Sequence, residues 1–405
     1  MSLVKKGIQY FRHYGAISTI KQVFDKCFRD ISLIPSAVAE QVTKKKYIEN
    51  LHSNAKDKEV YIMIPCIDWN IPLYQRPHQL ATALASRKDS FVLFVSDLYR
   101  YDNFCFSKKI SDTLYLYSPR MVSNLDEILK DSKSVTVIMC WTRHYSLLNS
   151  FKYDKLVYEY IDELQLFYYY NQEMEDIHSA LMKKADLTVA TASELYEKAR
   201  PIAKKLILNP NAGDYDFFHG ERDCDINARI ASVIKDYDCV FGYYGCLASW
   251  FDYDVVIEVA KKRKEWLFVL VGYDFDGTLS RLVDANLPNI THIEAQPYKN
   301  LTSFVSGFDI QIIPFVLNDI TASTSPVKLF EYMASGKPIL TSDMIECRKY
   351  DSVIIYKDGA EDFEKKAEQL IKLKTDAQYL ALLDKEAREN TWQTRVEQIL
   401  SELRG

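Results

Sequence analysis

The chain has 405 residues, of which 48% are apolar and 26% are charged, and its formal net charge is −5. These values are typical of a globular chain with about two domains, and the negative balance argues against a nucleic-acid partner. No apolar run approaches the roughly 20 residues that a helix needs to cross a bilayer, and the N-terminus lacks the apolar core of a secretory signal. We therefore expect a cytoplasmic protein.

The eight cysteines are scattered along the chain without a Cys-x-x-Cys pair. Several of them lie in apolar, strand-like runs such as "VTVIMC". Reduced, buried cysteines behave as small apolar residues, so this pattern predicts neither disulfides nor a zinc site.

Residues 1–50 form a basic segment, with nine Lys or Arg against four Asp or Glu. Within residues 1–30 the apolar residues are spaced three, four or six apart, and basic residues lie between them. This spacing predicts an amphipathic helical extension. Two interpretations remain open, since such a helix can pack on its own domain or bind an anionic membrane face at the periphery of the membrane.

From residue 58 onward, short apolar runs alternate with helical periodicity. A first series contains "EVYIMIPC", "SFVLFVS", "SVTVIMCW", "KLVYEYID" and "DLTVATA", and a second follows "NPNAGDYDFF" with "CVFGYYG", "WLFVLVG", "DIQIIPF", "PILTS" and "SVIIY". Such alternation predicts parallel sheets covered by helices on both faces. We therefore expect an α/β chain with two doubly wound domains, at 51–215 and 216–384. Ligands should bind at the carboxyl ends of the strands, in a cleft that the two domains face.

Two places in the first series carry polar residues where a ligand could bind. Arg76 and His78 flank the predicted start of a helix, with Pro77 at its first position, and could meet a phosphate. The alternative is a set of surface residues around a helix cap. Asp162 ends the strand "KLVYEYID" and could orient or deprotonate a hydroxyl group of a substrate. Asp162 with Gln165 also fits a capping box, which is a purely structural role.

The stretch "DFDGTL", which begins at Asp274, has three interpretations. It resembles the first motif of the haloacid dehalogenase phosphatases and the metal-binding Asp-x-Asp of one class of sugar transferases. It is also a good polar turn, with Asp276-Gly277 as its centre. Because only 84 residues separate Asp274 from Asp358, the acidic residue that would end a phosphatase core, and because the stretch lies inside the second strand series, we interpret it as a turn.

The strongest chemical signal is "NDITASTSPVKLFEYMASGKPIL". A helix should begin here with Ser325 as its N-cap and Pro326 and Val327 in its first turn, and should stop at Gly336. Lys328 in the first turn opposes the helix dipole unless an anion binds the free N–H groups beside it.

Glu331 lies three residues further, on the same face, where its carboxylate could accept bonds from sugar hydroxyls. A phosphate followed by hydroxyl groups describes a nucleoside diphosphate. The alternative is a solvated pair of Lys328 and Glu331 with no ligand.

These residues resemble the bacterial GT-B glycosyltransferases, in particular the retaining, family-4-type enzymes of surface-polysaccharide synthesis. The resemblance covers most of 58–400 and rests mainly on "SPVKLFEYMASGKPIL", with further likeness in "NAGDYDFF", "FGYYGCLASWFDYD" and "QRPHQLATALA". It implies that Lys328 contacts the diphosphate, that Glu331 binds the ribose, that Gly245 belongs to the glycine-rich turn of the donor domain, and that the backbone near Ile293 meets the nucleobase. It also implies a last helix, at about 385–405, that completes the N-terminal domain.

The resemblance further implies two Rossmann-like domains and sugar transfer from a nucleotide sugar to a glycan or lipid-linked acceptor, without a metal or a bound cofactor. We expect a UDP-sugar as donor, with GDP- and dTDP-sugars as alternatives. In a retaining reaction the departing phosphate can take the acceptor proton; in an inverting one Asp162 is the candidate base.

Two departures from the family pattern leave other functions open. Ser323 stands where the family has a first glutamate, and "GCLASWFD" lacks the basic residue that usually follows the glycine-rich strand. A nucleotide-sugar 2-epimerase of the same fold and a non-catalytic partner protein are therefore alternatives to a transferase.

Overall fold

The computed structural model describes residues 34–71, 73–220 and 225–404. The predicted basic helix at 1–30 lies outside these residues. Among the described residues, no helix combines the length and the apolar character needed to cross a membrane.

The chain divides into two compact units. Unit 1 contains the described residues up to Val189, then Ala199–Ile207 and the residues from Glu402; unit 2 contains Ala190–Lys198 and Leu208–Ser401.

Fourteen strands lie in the described residues. In chain order they are β1 (Glu59–Ile64), β2 (Ser90–Val95), β3 (Ser107–Lys109), β4 (Leu114–Tyr117), β5 (Ser134–Met139), β6 (Lys155–Tyr160), β7 (Leu187–Ala190), β8 (Leu206–Leu208), β9 (Cys239–Tyr244), β10 (Trp266–Val271), β11 (Ile290–Ile293), β12 (Ile310–Ile313), β13 (Ile339–Ser342) and β14 (Val353–Tyr356).

The α-helices of the same residues cover the faces of the sheets or connect the strands. They are α1 (Ile34–Ala55), α2 (Arg76–Ala85), α3 (Leu125–Leu129), α4 (Gln172–Lys184), α5 (Ser193–Ala199), α6 (Tyr215–Gly220), α7 (Ala228–Ala231), α8 (Tyr253–Lys262), α9 (Ser280–Ala285), α10 (Leu301–Val305), α11 (Asp319–Ala322), α12 (Val327–Ser335), α13 (Gly359–Leu373), α14 (Ala377–Glu389) and α15 (Trp392–Arg404).

The first sheet has eight strands in the order β3-β4-β2-β1-β5-β6-β7-β8. The pairs β1–β2, β1–β5, β2–β4 and β5–β6 are parallel, and β3 pairs with β4 antiparallel at the edge. Every residue of β2 is buried, as expected for a strand that helices cover on both faces.

The second sheet has six parallel strands in the order β11-β10-β9-β12-β13-β14. Renumbered within the unit, this is 3-2-1-4-5-6, the strand order of the Rossmann fold. The chain winds outward from β9 in one direction, then crosses over and continues from β12 in the other. The carboxyl ends of β9 and β12 therefore mark the point at which such sheets bind their ligands.

The predicted fold class is confirmed, since the chain is α/β and contains two largely parallel, helix-covered sheets. Continuous apolar runs such as "WLFVLV" became fully buried central strands. Burying both faces of a strand removes most of its apolar surface from water, at about 25 cal/mol per Å². This burial explains why continuous apolar runs, without an alternating pattern, predicted the buried strands correctly.

Candidate functional site

The start of α12 is held by a residue more than one hundred positions away. The backbone N–H of Asn211 donates to Ser325 Oγ over 3.1 Å, and Asn211 Nδ2 donates to the Ser325 carbonyl oxygen over 2.7 Å. Because its hydroxyl is used in this way, Ser325 does not cap the helix. The predicted N-cap is therefore wrong by one residue: Pro326 is the N-cap and Val327 is the first helical residue. The predicted end is confirmed, with Gly336 in the left-handed conformation at φ 73°.

The segment around Asn211 also packs closely against the backbone of α12. A Cβ atom placed on Gly213 would lie 2.8 Å from the carbonyl carbon and oxygen of Phe330. Only glycine fits this approach without a shift of the backbone. The "NAGDYDFF" segment therefore sets the position of α12 within unit 2.

Lys328 lies at the carboxyl ends of β9 and β12, where the strand order reverses. Its Nζ atom is 5.3 Å from the ring centre of Tyr243, at the end of β9, and 5.0 Å from that of Phe315, which follows β12. In the described part of the chain the ammonium group has no ion pair. Desolvation lowers the pKa of Lys328, and the charge of Glu331 opposes that shift.

Gly245 completes the surroundings of Lys328. It has φ +140°, and a Cβ on it would lie 3.0 Å from Cε of Lys328 and 3.1 Å from the Tyr243 hydroxyl. A Cβ on Gly272 would in turn lie 1.7 Å from the Gly245 carbonyl oxygen. The turn after β9 thus brings bare backbone next to the lysine, as an anion site requires.

Glu331 is buried one turn further along α12, with 4% of its surface exposed. Its Oε2 accepts a hydrogen bond from the Tyr244 hydroxyl over 2.7 Å, and its Oε1 accepts one from the Tyr298 hydroxyl over 3.0 Å. Burial raises the pKa of Glu331, while the two phenols and Lys328 act in the opposite direction. The interpretation of Lys328 and Glu331 as a solvated surface pair is therefore wrong.

Ile293 lies at the end of β11 and is buried. Its carbonyl oxygen accepts a hydrogen bond from the Gly272 N–H over 2.8 Å. The connection that follows β11 carries Tyr298 onto Glu331. The region predicted to meet the nucleobase is thus adjacent to the carboxylate predicted to bind the ribose.

The "DFDGTL" stretch is a turn, as interpreted from the sequence. Asp274 Oδ1 accepts from the Gly277 N–H over 2.9 Å, and Asp276 accepts from the Ser249 N–H over 2.9 Å and from the Thr278 hydroxyl over 2.6 Å. Both carboxylates are thus occupied with local donors. Within residues 34–71, 73–220 and 225–404, no cluster of three or more acidic, His or Cys residues is arranged to hold a metal ion.

Ser323 supplies no substitute for the missing glutamate. Its hydroxyl donates to the carbonyl oxygen of Asp319 over 2.9 Å, so it is turned back onto α11, and the residue is buried.

In unit 1, Arg76 and His78 are internal residues, so neither is placed to meet a phosphate. The Arg76 guanidinium, 2% exposed, forms a two-point ion pair with the fully buried Glu159 on β6. His78 Nδ1 accepts from the Gln75 N–H over 3.1 Å, and Nε2 contacts the Trp69 carbonyl over 3.0 Å. Burial also lowers the pKa of His78. The helix begins at Arg76, one residue before the predicted Pro77.

Asp162 is exposed just beyond the end of β6 and makes no side-chain hydrogen bond or ion pair with any described residue. The capping-box interpretation is wrong, because a short 3₁₀ helix begins at Leu164 and its N-cap is Glu163, whose side chain makes no capping hydrogen bond. Desolvation by the surrounding protein raises the pKa of Asp162 to about 6, although the side chain keeps access to water. At neutral pH the group is therefore mainly in the carboxylate form.

Sequence reasoning missed a second polar cluster, at the carboxyl ends of β1, β2 and β5. Arg143 forms an ion pair with Asp97 and donates to the Cys66 carbonyl oxygen over 2.8 Å, and His144 Nε2 lies 2.8 Å from Asp97 Oδ1. Burial opposes ionisation of Asp97, but the bonds from His144 and Arg143 prevail and lower its pKa. The signal available in the sequence was that these residues lie in the connections that follow β2 and β5.

Comparison with known proteins gives a consistent result. Residues 240–373 match the model of the "Glycosyl transferases group 1" family. A putative teichuronic acid biosynthesis glycosyltransferase, TuaH of Bacillus subtilis, is 21% identical over 395 residues, which is 85% of this chain and 97% of that protein.

Solved structures agree on the fold. Sucrose-phosphate synthase of Thermosynechococcus elongatus has a TM-score of 0.59 at 14% identity, covering 86% of this chain and 98% of that one. HepE of Anabaena in complex with UDP has a TM-score of 0.60 at 12% identity, with 86% and 99% covered. A UDP-forming trehalose-phosphate synthase of Burkholderia xenovorans has a TM-score of 0.62 at 10% identity, with 86% and 99% covered. The chain is therefore a glycosyltransferase of the GT-B fold, and its residues 240–373 are similar to the group 1 glycosyl transferases.

Proposed function

We propose that the protein transfers a sugar, with retention of configuration, from a nucleotide diphosphate-sugar that binds on α12 of unit 2. The observation that carries this proposal is the placement of Lys328 at the switch point between β9 and β12, in no ion pair with any described residue, with the buried Glu331 one turn further. Lys328 and the free N–H groups of the first turn of α12 bind the diphosphate. Glu331 binds the ribose hydroxyls.

The chemical task of this site is to stabilise the negative charge that develops on the departing nucleoside diphosphate. A partly buried ammonium group beside a helix N-terminus is oriented before the reaction begins, so little reorganisation is needed when the sugar–phosphate bond breaks. The departing phosphate takes the proton of the acceptor hydroxyl in the retaining reaction. Asp162, ionised at neutral pH, orients that hydroxyl.

UDP is the favoured nucleotide. Three of the similar structures are HepE with UDP, with UDP and glucose, and with UDP-glucose, and the Burkholderia synthase is UDP-forming. Those ligands belong to those proteins, and they support a UDP-sugar here because those proteins have the same fold as this chain. The preference for UDP over GDP and dTDP as the nucleotide rests on this support alone.

The acceptor that we propose is a hydroxyl group of a glycan or of a lipid-linked sugar in bacterial surface-polysaccharide synthesis. The similarity to a protein named for teichuronic acid biosynthesis, over 85% of the chain, supports this class.

The direct test is to incubate the protein with a panel of UDP-, GDP- and dTDP-sugars, with and without glycan acceptors, and to identify the products by mass spectrometry. We expect consumption of a UDP-sugar that depends strongly on acceptor and yields a product with the donor's anomeric configuration. Rapid conversion of the nucleotide sugar without any acceptor would instead indicate an epimerase. The absence of both binding and turnover would contradict an enzymatic role.

The lowered pKa of Lys328 predicts a specific pH dependence. Its ammonium form binds the diphosphate, so donor affinity should fall as the pH rises through the Lys328 pKa, which lies below the ordinary lysine value of 10.5. In Lys328→Arg the guanidinium stays charged throughout this range, so the difference in affinity between the two proteins should grow with pH. Calorimetric titration of UDP from pH 7 to 10 measures this. Parallel pH profiles would contradict a role for the Lys328 charge, because titration of the nucleotide itself is common to both proteins.

We also propose that residues 1–30 attach the protein to anionic membranes. The segment has six Lys or Arg against two Asp or Glu, a net charge of +4, with apolar residues between them. Each basic residue near an anionic surface contributes on the order of 1 kcal/mol. Deletion of residues 1–30 should abolish sedimentation with vesicles that contain anionic lipid and leave UDP binding unchanged. Equal sedimentation of the truncated protein, or its unfolding, would contradict the proposal.

A further inference from the structure

The Glu331 carboxylate accepts hydrogen bonds from two tyrosines that differ in their place in the fold and in their burial. Tyr244 ends the central strand β9, is 5% exposed and donates to Oε2. Its own backbone N–H donates to the Tyr332 hydroxyl on α12 over 3.1 Å. Tyr244 is thus fixed to both the sheet and the helix, and it cannot leave Glu331 without a change in the core.

Tyr298 lies on a connection instead of a strand of the sheet. It belongs to a one-turn 3₁₀ helix, Tyr298–Asn300, in the connection between β11 and α10, and it is only partly buried. Its ring stacks on Phe217 at 5.3 Å between ring centres and meets Phe218 edge-on at 5.8 Å. Its hydroxyl is the donor to Oε1 of Glu331.

A ligand hydroxyl meets a crowded carboxylate in this arrangement, because Glu331 is 4% exposed and each of its oxygens already accepts a hydrogen bond from a phenol. Of the two phenols, Tyr298 is the one on a partly exposed connection, so it is the one that a ligand can displace. A ribose presents hydroxyl groups of the same chemical kind as the phenol: neutral O–H donors to a carboxylate.

We propose that the Tyr298 hydroxyl occupies the place of a ribose hydroxyl on Glu331 in the ligand-free protein, and that the nucleotide displaces it. This inference rests on the proposed function of Glu331 as the ribose ligand. Tyr244 remains in place throughout and is a positioning residue, since it holds the carboxylate in the orientation that the ribose meets. When no nucleotide sugar is bound, the Tyr298 hydroxyl donates a hydrogen bond to the buried Glu331 carboxylate. The nucleotide must therefore compete with Tyr298 for this carboxylate.

The two tyrosines should therefore give opposite results when their hydroxyl groups are removed. Tyr298→Phe removes the competitor, so UDP should bind about three- to tenfold more tightly, the range expected for one net hydrogen bond. Tyr244→Phe frees the orientation of Glu331, so UDP should bind several-fold more weakly. Tyr237→Phe is the matched control, because Tyr237 donates to the Pro288 carbonyl oxygen in the same unit and contacts no candidate ligand. Its UDP affinity should equal that of the wild type.

A second nucleotide identifies the displaced group. The 2′,3′-dideoxy analogue of UDP has no ribose hydroxyls to offer Glu331, so it should bind wild type, Tyr298→Phe and Tyr244→Phe with the same affinity. Calorimetry with both nucleotides, and thermal melts that confirm folding, complete the set. Unchanged or weaker UDP binding by Tyr298→Phe, or a gain that persists with the dideoxy analogue, would overturn the inference.

Glu331→Gln separates this inference from the function on which it rests. Suppose that wild type binds UDP, that Glu331→Gln binds it more weakly, and that Tyr298→Phe gives no gain in affinity. The ribose role of Glu331 then stands, and only the displacement of Tyr298 by the nucleotide is contradicted. If Glu331→Gln binds UDP as well as wild type, the ribose role of Glu331 fails and the inference fails with it.

Discussion

Lys328→Ala is expected to lower kcat/KM for sugar transfer by about 100-fold or more while the protein stays folded. Removal of one preorganised donor to a developing negative charge typically costs two to three orders of magnitude in rate. Lys328 stands in no ion pair with any described residue, and its ammonium lies against the Tyr243 and Phe315 rings rather than beside a carboxylate. When Lys328 is lost, the buried Glu331 keeps its hydrogen bonds from Tyr244 and Tyr298, so the melting temperature should change little.

The control for this variant is Lys261→Ala, at an exposed position on α8 of the same unit. Initial rates measured over a range of donor concentrations give kcat/KM for both variants, and thermal melts give their stability. Less than a threefold loss of kcat/KM in Lys328→Ala, or an equal loss in Lys261→Ala, would contradict the assignment of Lys328 to the leaving group.

Glu159→Ala is expected to destabilise the protein by about 3–5 kcal/mol, because it leaves the Arg76 guanidinium buried without its partner. Replacement of both partners by apolar residues, as in Arg76→Met with Glu159→Leu, should recover most of this loss, since no uncompensated charge then remains. Urea denaturation measures both effects. UDP affinity, measured on the folded protein, should equal that of wild type in the double variant.

The same experiment decides between two roles for Arg76. The sequence suggested that Arg76 binds a phosphate. If it did, replacing Arg76 would sharply reduce UDP affinity, whether or not Glu159 is replaced as well. Such a loss in a stable double variant would contradict the structural role. An exposed pair such as Lys109 with Asp112 serves as the control, because Lys109→Ala should leave stability nearly unchanged.

The sequence predicted well those features that depend on neighbouring residues. Apolar runs gave the strands, Gly336 gave the end of α12, and the three-residue spacing placed Lys328 and Glu331 on one face of the helix. Each of these depends on backbone geometry or burial within a few positions.

The errors share a different physical cause, which is a partner far away in the chain. Ser325 failed as an N-cap because its hydroxyl accepts from Asn211, 114 positions earlier. Arg76 failed as a phosphate ligand because Glu159 lies 83 positions later. No local pattern announces such partners, since a polar side chain beside a helix start looks the same whether it meets a ligand or a buried counter-charge.

The sequence also did not predict the two tyrosines that bond to Glu331. Tyr244 lies 87 positions from Glu331 and Tyr298 lies 33 positions from it, and both belong to stretches in which tyrosine is common. The Rossmann strand order brings β9, the connection after β11 and α12 together, so the site becomes visible only once the topology is known.

A crystal structure of the protein with UDP tests the central claim most directly. We predict that the diphosphate lies at the first turn of α12 with an oxygen within hydrogen-bond distance of Lys328 Nζ, and that a ribose hydroxyl lies on Glu331. A nucleotide bound elsewhere, for example at the Asp97, Arg143 and His144 cluster of unit 1, with Lys328 and Glu331 unchanged, would contradict it.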